Sequence, residues 1–103
     1  DLVLKKYNAA ILVNGCFWHG HDCDLFKWPK SRGSFWRKKI SDNVARDKAN
    51  LKALSGSGIR TCIIWECSIK GKGRRDPERL IAELCGWLTS NTGHIEFCGC
   101  VND

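Results

Sequence analysis

The sequence predicts an α/β layer fold, and three observations predict it. Two apolar, β-branched runs, Ala9–Val13 and Ile59–Trp65, have the length and composition of strands. Between them, residues 35–54 carry apolar side chains every three or four positions, which is helical spacing. A second helix start follows the later run. The order strand, strand, helix, strand, helix favours a layered α/β core.

Asp1–Leu4 reads as a short strand, Lys5-Lys6-Tyr7-Asn8 as a polar turn and Ala9–Val13 as the return strand, so a β-hairpin is expected. Gly15 then precedes the run Cys16-Phe17-Trp18-His19-Gly20-His21-Asp22-Cys23, dense in metal ligands and aromatics. Residues 24–34 read as a loop, with Pro29 and Gly33 as breakers. Ser34 is the expected cap of a helix from Phe35 to about Leu54, whose stripe is Ile40, Val44, Leu51 and Leu54. Asp47 falls on that stripe, so it needs a partner or borders a polar cleft. Arg37, Lys38, Lys39, Lys48 and Lys52 occupy the opposite face. Ser55-Gly56-Ser57-Gly58 ends the helix, Ile59–Trp65 is a buried strand, and Glu66-Cys67 closes it. Lys70-Gly71-Lys72-Gly73-Arg74-Arg75 is a flexible basic loop. Asp76 as N-cap and Pro77 at the first helical position open a second helix to about Leu88. The apolar patch Ile95–Cys98 has no assigned place.

A chain of 103 residues suits one domain, and 43% hydrophobic residues suit a globular one. No apolar run approaches the roughly 20 residues that span a bilayer, and Asp1-Leu2-Val3-Leu4-Lys5-Lys6 lacks the order of a signal peptide. With 17 basic against 11 acidic residues, the formal charge of +6 fits either an anionic partner such as nucleic acid or a merely positive surface. Seven cysteines fit a secreted disulfide scaffold or an intracellular metal protein; without a signal peptide the second is favoured.

Cys16, His21 and Cys23 form C-x4-H-x-C, and Cys67 follows the buried strand. Zn2+ takes four tetrahedral Cys and His ligands, and a closed set of this kind is structural rather than catalytic. It would also supplement a small core, because metal binding is folding free energy. Ordinary cysteines plus a surface histidine remain the alternative, and spacing alone does not decide Cys67 over Cys62. Cys62, inside an apolar run, and Cys85, on the second helix, read as core residues. Cys98 and Cys100 are unassigned.

Phosphodiester hydrolysis needs a polarising cation, a base and a way to place the phosphate. Mg2+ prefers carboxylate and carbonyl oxygens, and Asp1 and Asp47 are candidates. His19 has the chemistry of a general base near neutral pH. The alternatives are an exposed terminal carboxylate for Asp1, an exposed or zinc-competing ring for His19, and pairing with Arg46 or a lysine for Asp47. Phe17, Trp18 and Trp36 are either wedges that unstack bases or packed residues. Trp65 and Trp87 belong to the core.

The run Gly15–Cys23, together with Phe35-Trp36, Asn43-Val44-Ala45-Arg46-Asp47 and Trp65-Glu66-Cys67, closely resembles the Vsr-type very short patch mismatch-repair endonucleases, in order and approximate spacing. The resemblance implies a restriction-endonuclease-like three-layer α/β core with a central mixed sheet flanked by helices. It implies that Asp1 and the carbonyl of Val13 bind Mg2+, that His19 is the general base, and that Asp47 supports it. Cys16, His21, Cys23 and Cys67 match the structural zinc ligands, which selects Cys67. Phe17, Trp18 and Trp36 match the aromatics that intercalate beside the mismatch. The family nicks duplex DNA 5′ to the thymine of a T·G mismatch. Asn14 stands where relatives have a histidine near the metal, so it can bind a water but cannot titrate. Gly20 and Asp22 replace histidines of a His-rich run. The chain begins at the first catalytic residue, so the family's N-terminal segment, with a DNA-contacting helix, is expected to be missing from 1–103, and Asp1 would then carry a free amino group.

The expected function is therefore Mg2+-dependent, zinc-stabilised nicking of mismatched duplex DNA by a single catalytic domain. That enzyme would be monomeric and bacterial cytoplasmic, without a membrane partner and with other repair proteins as possible associates. The rivals are a zinc-stapled DNA-binding module without chemistry and a homing or restriction-type endonuclease of the same fold with another target.

Overall fold

The computed structural model describes residues 2–99; Asp1, Cys100 and the last three residues lie outside it. The hairpin forms as the sequence predicts. β1 (Leu2–Leu4) runs antiparallel to β2 (Ala9–Asn14), with Leu2 opposite Ile11 and Leu4 opposite Ala9. A single 3-10 turn, Lys5–Tyr7, joins them and ends at Asn8 in the left-handed region (φ 49°), which Asn tolerates better than most residues.

β2 then pairs parallel with β3 (Arg60–Trp65), in register from Ala9–Arg60 to Asn14–Trp65. Parallel neighbours need a long crossover. Here it consists of the aromatic loop and α1 (Gly33–Gly56). The helix starts earlier than Ser34 allows: Gly33 is its first residue rather than a breaker, and Arg32 is the N-cap, in the left-handed conformation (φ 57°), its carbonyl accepting from the Trp36 amide at 3.1 Å. Ser34 therefore sits within the first turn and caps nothing. The stripe behaves as its spacing requires, with Ile40 buried and Val44, Asp47, Leu51 and Leu54 half-buried.

After β3 a short 3-10 turn, Glu66–Ser68, and the basic loop lead to α2 (Pro77–Leu88). Asp76 holds the N-cap position, but only its carbonyl serves the helix, accepting from the Leu80 amide at 3.0 Å. The unplaced apolar patch proves to be part of β4 (His94–Phe97), which pairs parallel with β3 and gives a four-stranded mixed sheet in the order β1-β2-β3-β4. Arg60 ties the far end of this sheet to α2, donating to the carbonyls of Tyr7 (2.8 Å), Trp87 (2.9 Å) and Leu88 (2.8 Å).

The two faces of the sheet are covered differently. Ala9, Ile11, Cys62 and Phe97 pack with Leu80, Leu84 and Trp87 of α2. On the other face, Leu12, Ile63 and Trp65 pack with Leu51 of α1 and with Cys16, Cys23, Leu25, Cys67 and Cys98. The alternation of Cys62 and Ile63 to opposite sides is the two-residue period of a strand. Cys62, Trp65 and Trp87 are core residues, as expected; Cys85 is not. It is exposed, because the buried face of α2 is already defined by Leu80, Leu84 and Trp87. The described cysteines form no disulfide, and no helix among the described residues is long and apolar enough to cross a membrane.

Candidate active site and metal centre

β2 and β3 end side by side at Asn14 and Trp65, so the segments that follow them emerge together. The first coils tightly: the His19 amide donates to the Gly15 carbonyl at 3.2 Å and the His21 amide to the Cys16 carbonyl at 2.9 Å. Gly20 is required in this coil. Its φ is +61°, and a Cβ there would lie 2.9 Å from methyl carbons of both Ile40 and Val44. The coil is thus pressed onto the apolar stripe of α1, and the glycine noted as a departure from relatives is what permits the contact.

The coil, the loop after it and the turn after β3 bring Cys16, His21, Cys23 and Cys67 together, their ligand atoms all within 4.8 Å of one another. Cys62 is excluded because it points to the opposite face. His21 Nδ1 lies 3.5 Å from Cys16 Sγ and 3.6 Å from Cys67 Sγ. The Cys67 amide donates to Cys16 Sγ and the Gly99 amide to Cys67 Sγ, each at 3.3 Å, an arrangement that favours thiolate sulfur. Burial otherwise pushes the Cys16 thiol well above its ordinary value and holds His21 below the usual histidine range. The His21 ring lies flat on Trp65, 4.1 Å between centroids and 10° between planes. These four residues can hold a metal ion.

Trp65 is itself held. Its indole N–H donates to Glu96 Oε1 at 2.8 Å, Glu96 Oε2 lies 2.9 Å from His94 Nε2, and His94 Nδ1 lies 2.6 Å from Thr61 Oγ1. Burial alone would raise the Glu96 carboxyl, but the Trp65 and His94 hydrogen bonds outweigh it and hold it below the usual range. Sequence reasoning missed Glu96 because its role exists only once β4 is placed beside β3.

His19 faces the other way, toward α1. Its Nδ1 lies 2.5 Å from Asp47 Oδ2, both side chains partly exposed. Asp47 thus has a partner, but not Arg46 or a lysine. Arg46 instead donates to Asn43 Oδ1 at 2.7 Å, and Asn43 donates to the Trp18 carbonyl at 2.8 Å. Asn43 is a buried link between helix and coil that sequence reasoning also missed. A carboxylate accepting a proton from Nδ1 would leave Nε2 as an acceptor, which is the arrangement an oriented base needs. Asn14 is buried at the end of β2, and Val13 beside it is half-exposed. Asp1 lies outside the described residues.

Phe17, Trp18 and Trp36 meet edge to face, with centroids 5.2–5.7 Å apart. Trp18 is 51% exposed, so the group is a surface cluster rather than core. It extends further than the sequence suggested: Phe26 stacks on Phe17 at 5.7 Å, Trp28 meets Phe26 at 4.9 Å, and Phe35 meets Trp36 at 5.1 Å.

A family model described as DNA mismatch endonuclease Vsr matches residues 1–25. The chain is 41% identical over 88 residues to the DNA mismatch endonuclease Vsr of Escherichia coli, covering 85% of this chain and 56% of that protein. It is 40% identical over 86 residues to the type II nicking enzyme V.NmeAIP of Neisseria meningitidis (82% and 61%). With the type II nicking enzyme V.HpaIIP of Haemophilus parainfluenzae it shares 49% identity over 85 residues (82% and 57%). The chain spans about half the length of the curated relatives it matches. The chain is thus similar both to a DNA mismatch endonuclease of the Vsr type and to type II nicking enzymes.

Proposed function

We propose that the chain is the catalytic domain of a restriction-endonuclease-like enzyme that nicks duplex DNA 5′ to the thymine of a T·G mismatch. The observation that carries this reading is the His19–Asp47 pair, whose histidine sits on the coil that also carries Cys16 and His21 of the metal cluster and Phe17 and Trp18 of the aromatic cluster. His19 Nε2 takes the proton of the attacking water, and Asp47 holds the ring and stabilises its charged form. As oxygen bonds to phosphorus, the bond to the leaving oxygen breaks and one strand is cut. Asn14 orients the water by hydrogen bonding.

Cys16, His21, Cys23 and Cys67 would hold Zn2+ as a closed structural site. In support, tetrahedral Zn–S and Zn–N bonds of about 2.3 and 2.0–2.1 Å imply S···N edges of about 3.6 Å, and the two observed are 3.5 and 3.6 Å. Asp1 and the Val13 carbonyl would hold Mg2+, both hard oxygen donors suited to it. Val13 is half-exposed just past the stretch of β2 that β1 pairs, and the antiparallel register sets the start of β1 toward that end. Bound there, Mg2+ would neutralise charge on the phosphoryl oxygens. Phe17, Trp18 and Trp36 insert beside the mismatch. The enzyme acts as a monomer in the bacterial cytoplasm, alongside other repair proteins.

The type II nicking relatives favour a second reading, the same chemistry on another target. One experiment separates the two: nicking of a labelled duplex bearing one T·G mismatch and of its matched counterpart, with and without Mg2+. Mg2+-dependent cutting of the mismatched duplex alone supports the first reading. Cutting of both equally supports the second, and cutting of neither by the folded, zinc-loaded protein discards both.

A further inference from the structure

Most arginines of the chain are committed to their own protein. Arg60 serves the carbonyls that tie the sheet to α2, Arg46 serves Asn43, and Arg75 donates to the Cys98 carbonyl beside Glu83. Arg32 and Arg37 differ. The Arg32 guanidinium lies 4.4 Å from the centroid of Phe35 and that of Arg37 lies 4.8 Å from the centroid of Trp28. Among the described residues neither side chain makes a hydrogen bond or an ion pair.

The supporting rings are exposed, Trp28 by 44% and Phe35 by 46%. They are also the two ends of one series of ring contacts, Trp28–Phe26–Phe17–Trp36–Phe35. A guanidinium resting on a ring keeps its in-plane N–H donors free, and that planar fork fits a phosphate oxygen pair. Stacking also restrains an otherwise floppy side chain, so less freedom is lost when it binds. Among the described residues no carboxylate pairs with either group.

We propose that Arg32 and Arg37 are two phosphate-binding prongs that grip the DNA backbone at the two ends of the aromatic series, with Phe35 and Trp28 as their supports. This rests on the DNA-nicking reading, but it concerns binding and needs no cleavage. The aromatic cluster alone would offer the bases a surface without a register; paired prongs fix where the backbone passes.

The test is fluorescence anisotropy of a labelled duplex, matched and T·G-mismatched, across a salt series without Mg2+. Each phosphate contact contributes about 0.9 to the slope of log affinity against log salt. The double variant Arg32→Gln with Arg37→Gln should lose about 1.8 from that slope on both duplexes, and each single variant about half as much. Both sites are exposed and glutamine keeps most of the stem, so folding is checked simply by an unchanged thermal melt. Trp28→Ala leaves the charge of Arg37 in place while removing its support; weaker binding with the slope largely kept is the expected result. A double variant that keeps the wild-type slope overturns the proposal while leaving the DNA reading intact. Unaltered binding by Trp28→Ala overturns the role of the ring. Wild-type protein with no salt-dependent affinity for either duplex removes the DNA reading and the prongs together.

Discussion

The two faces of the sheet are built on different principles. Against α2, Ala9, Ile11, Cys62, Leu80, Trp87 and Phe97 form an ordinary apolar core. Against α1, the buried set is two thiols, Ile63 and Trp65, and around it gather a histidine stacked on tryptophan, half-buried loop residues and only Leu51 from the long helix. The first face is stabilised by apolar volume, whereas the second depends on ligands that a metal can join. The difference teaches that α1 contributes little to the core. It is present to carry Asp47, Asn43 and Trp36 to the coil that holds His19.

Metal removal should break this comparison most severely. A structural zinc contributes on the order of 10 kcal/mol or more, comparable with the whole stability of a small domain. A strong chelator, or Cys67→Ser, should therefore abolish the cooperative thermal transition followed by tryptophan fluorescence. An unchanged melt would mean that the second face stands on packing after all. Phe97→Ala strikes the other face. It should cost about 3–5 kcal/mol while bound zinc, measured by a colorimetric release assay, stays at one per chain. Loss of zinc along with stability would show that the faces are not separable.

Asp47→Asn should lower the nicking rate by about 100-fold or more with little change in melting temperature, because it disorients a base without touching either core. A rate within a factor of about two of wild type would remove Asp47 from the mechanism. Glu96→Gln should have the smallest effect, a melting temperature a few degrees lower, as one charge-assisted bond to Trp65 becomes a neutral one. The Glu96 carboxyl is held below its ordinary 4.5, so the native state binds fewer protons than the unfolded chain. Its contribution is complete above pH 4.5 and is lost as the pH falls through the lower native value. The gap between wild type and the glutamine variant should close over that acid range, and a constant gap would contradict the assignment.

Much of this was legible in local sequence. The hairpin follows from two β-like runs around a polar turn, the start of α2 from Asp76 and Pro77, and the placing of Asp47 on the buried stripe from periodicity, all of them short-range properties. The ligand set was legible in part: C-x4-H-x-C marks three members, but spacing alone left Cys62 and Cys67 open, and the structure separates them by turning Cys62 to the α2 face of β3 and placing Cys67 in the turn after the strand. β4 was missed because four residues are too few for a pattern and its partner lies more than thirty positions away. Arg32 as a cap was missed because a left-handed arginine has no composition signal. Glu96 and Asn43 depend on neighbours remote in sequence, Trp65 and Trp18, so no short window along the chain contains both halves of either contact.

The amide of Gly99 donates to the sulfur of Cys67, immediately after the last strand leaves the sheet. That single hydrogen bond joins the segment after β4 to the cysteine–histidine cluster, and a Cβ at Gly99 would lie 2.0 Å from the Cys67 carbonyl oxygen, which bars any other residue there. The consequence is a built-in reporter. While the cluster is intact, this hydrogen should exchange slowly with solvent deuterium, and any opening that separates Cys67 from the segment after β4 should speed its exchange. Isotope uptake at one backbone position should thus report on the integrity of a cluster formed by residues far earlier in the chain.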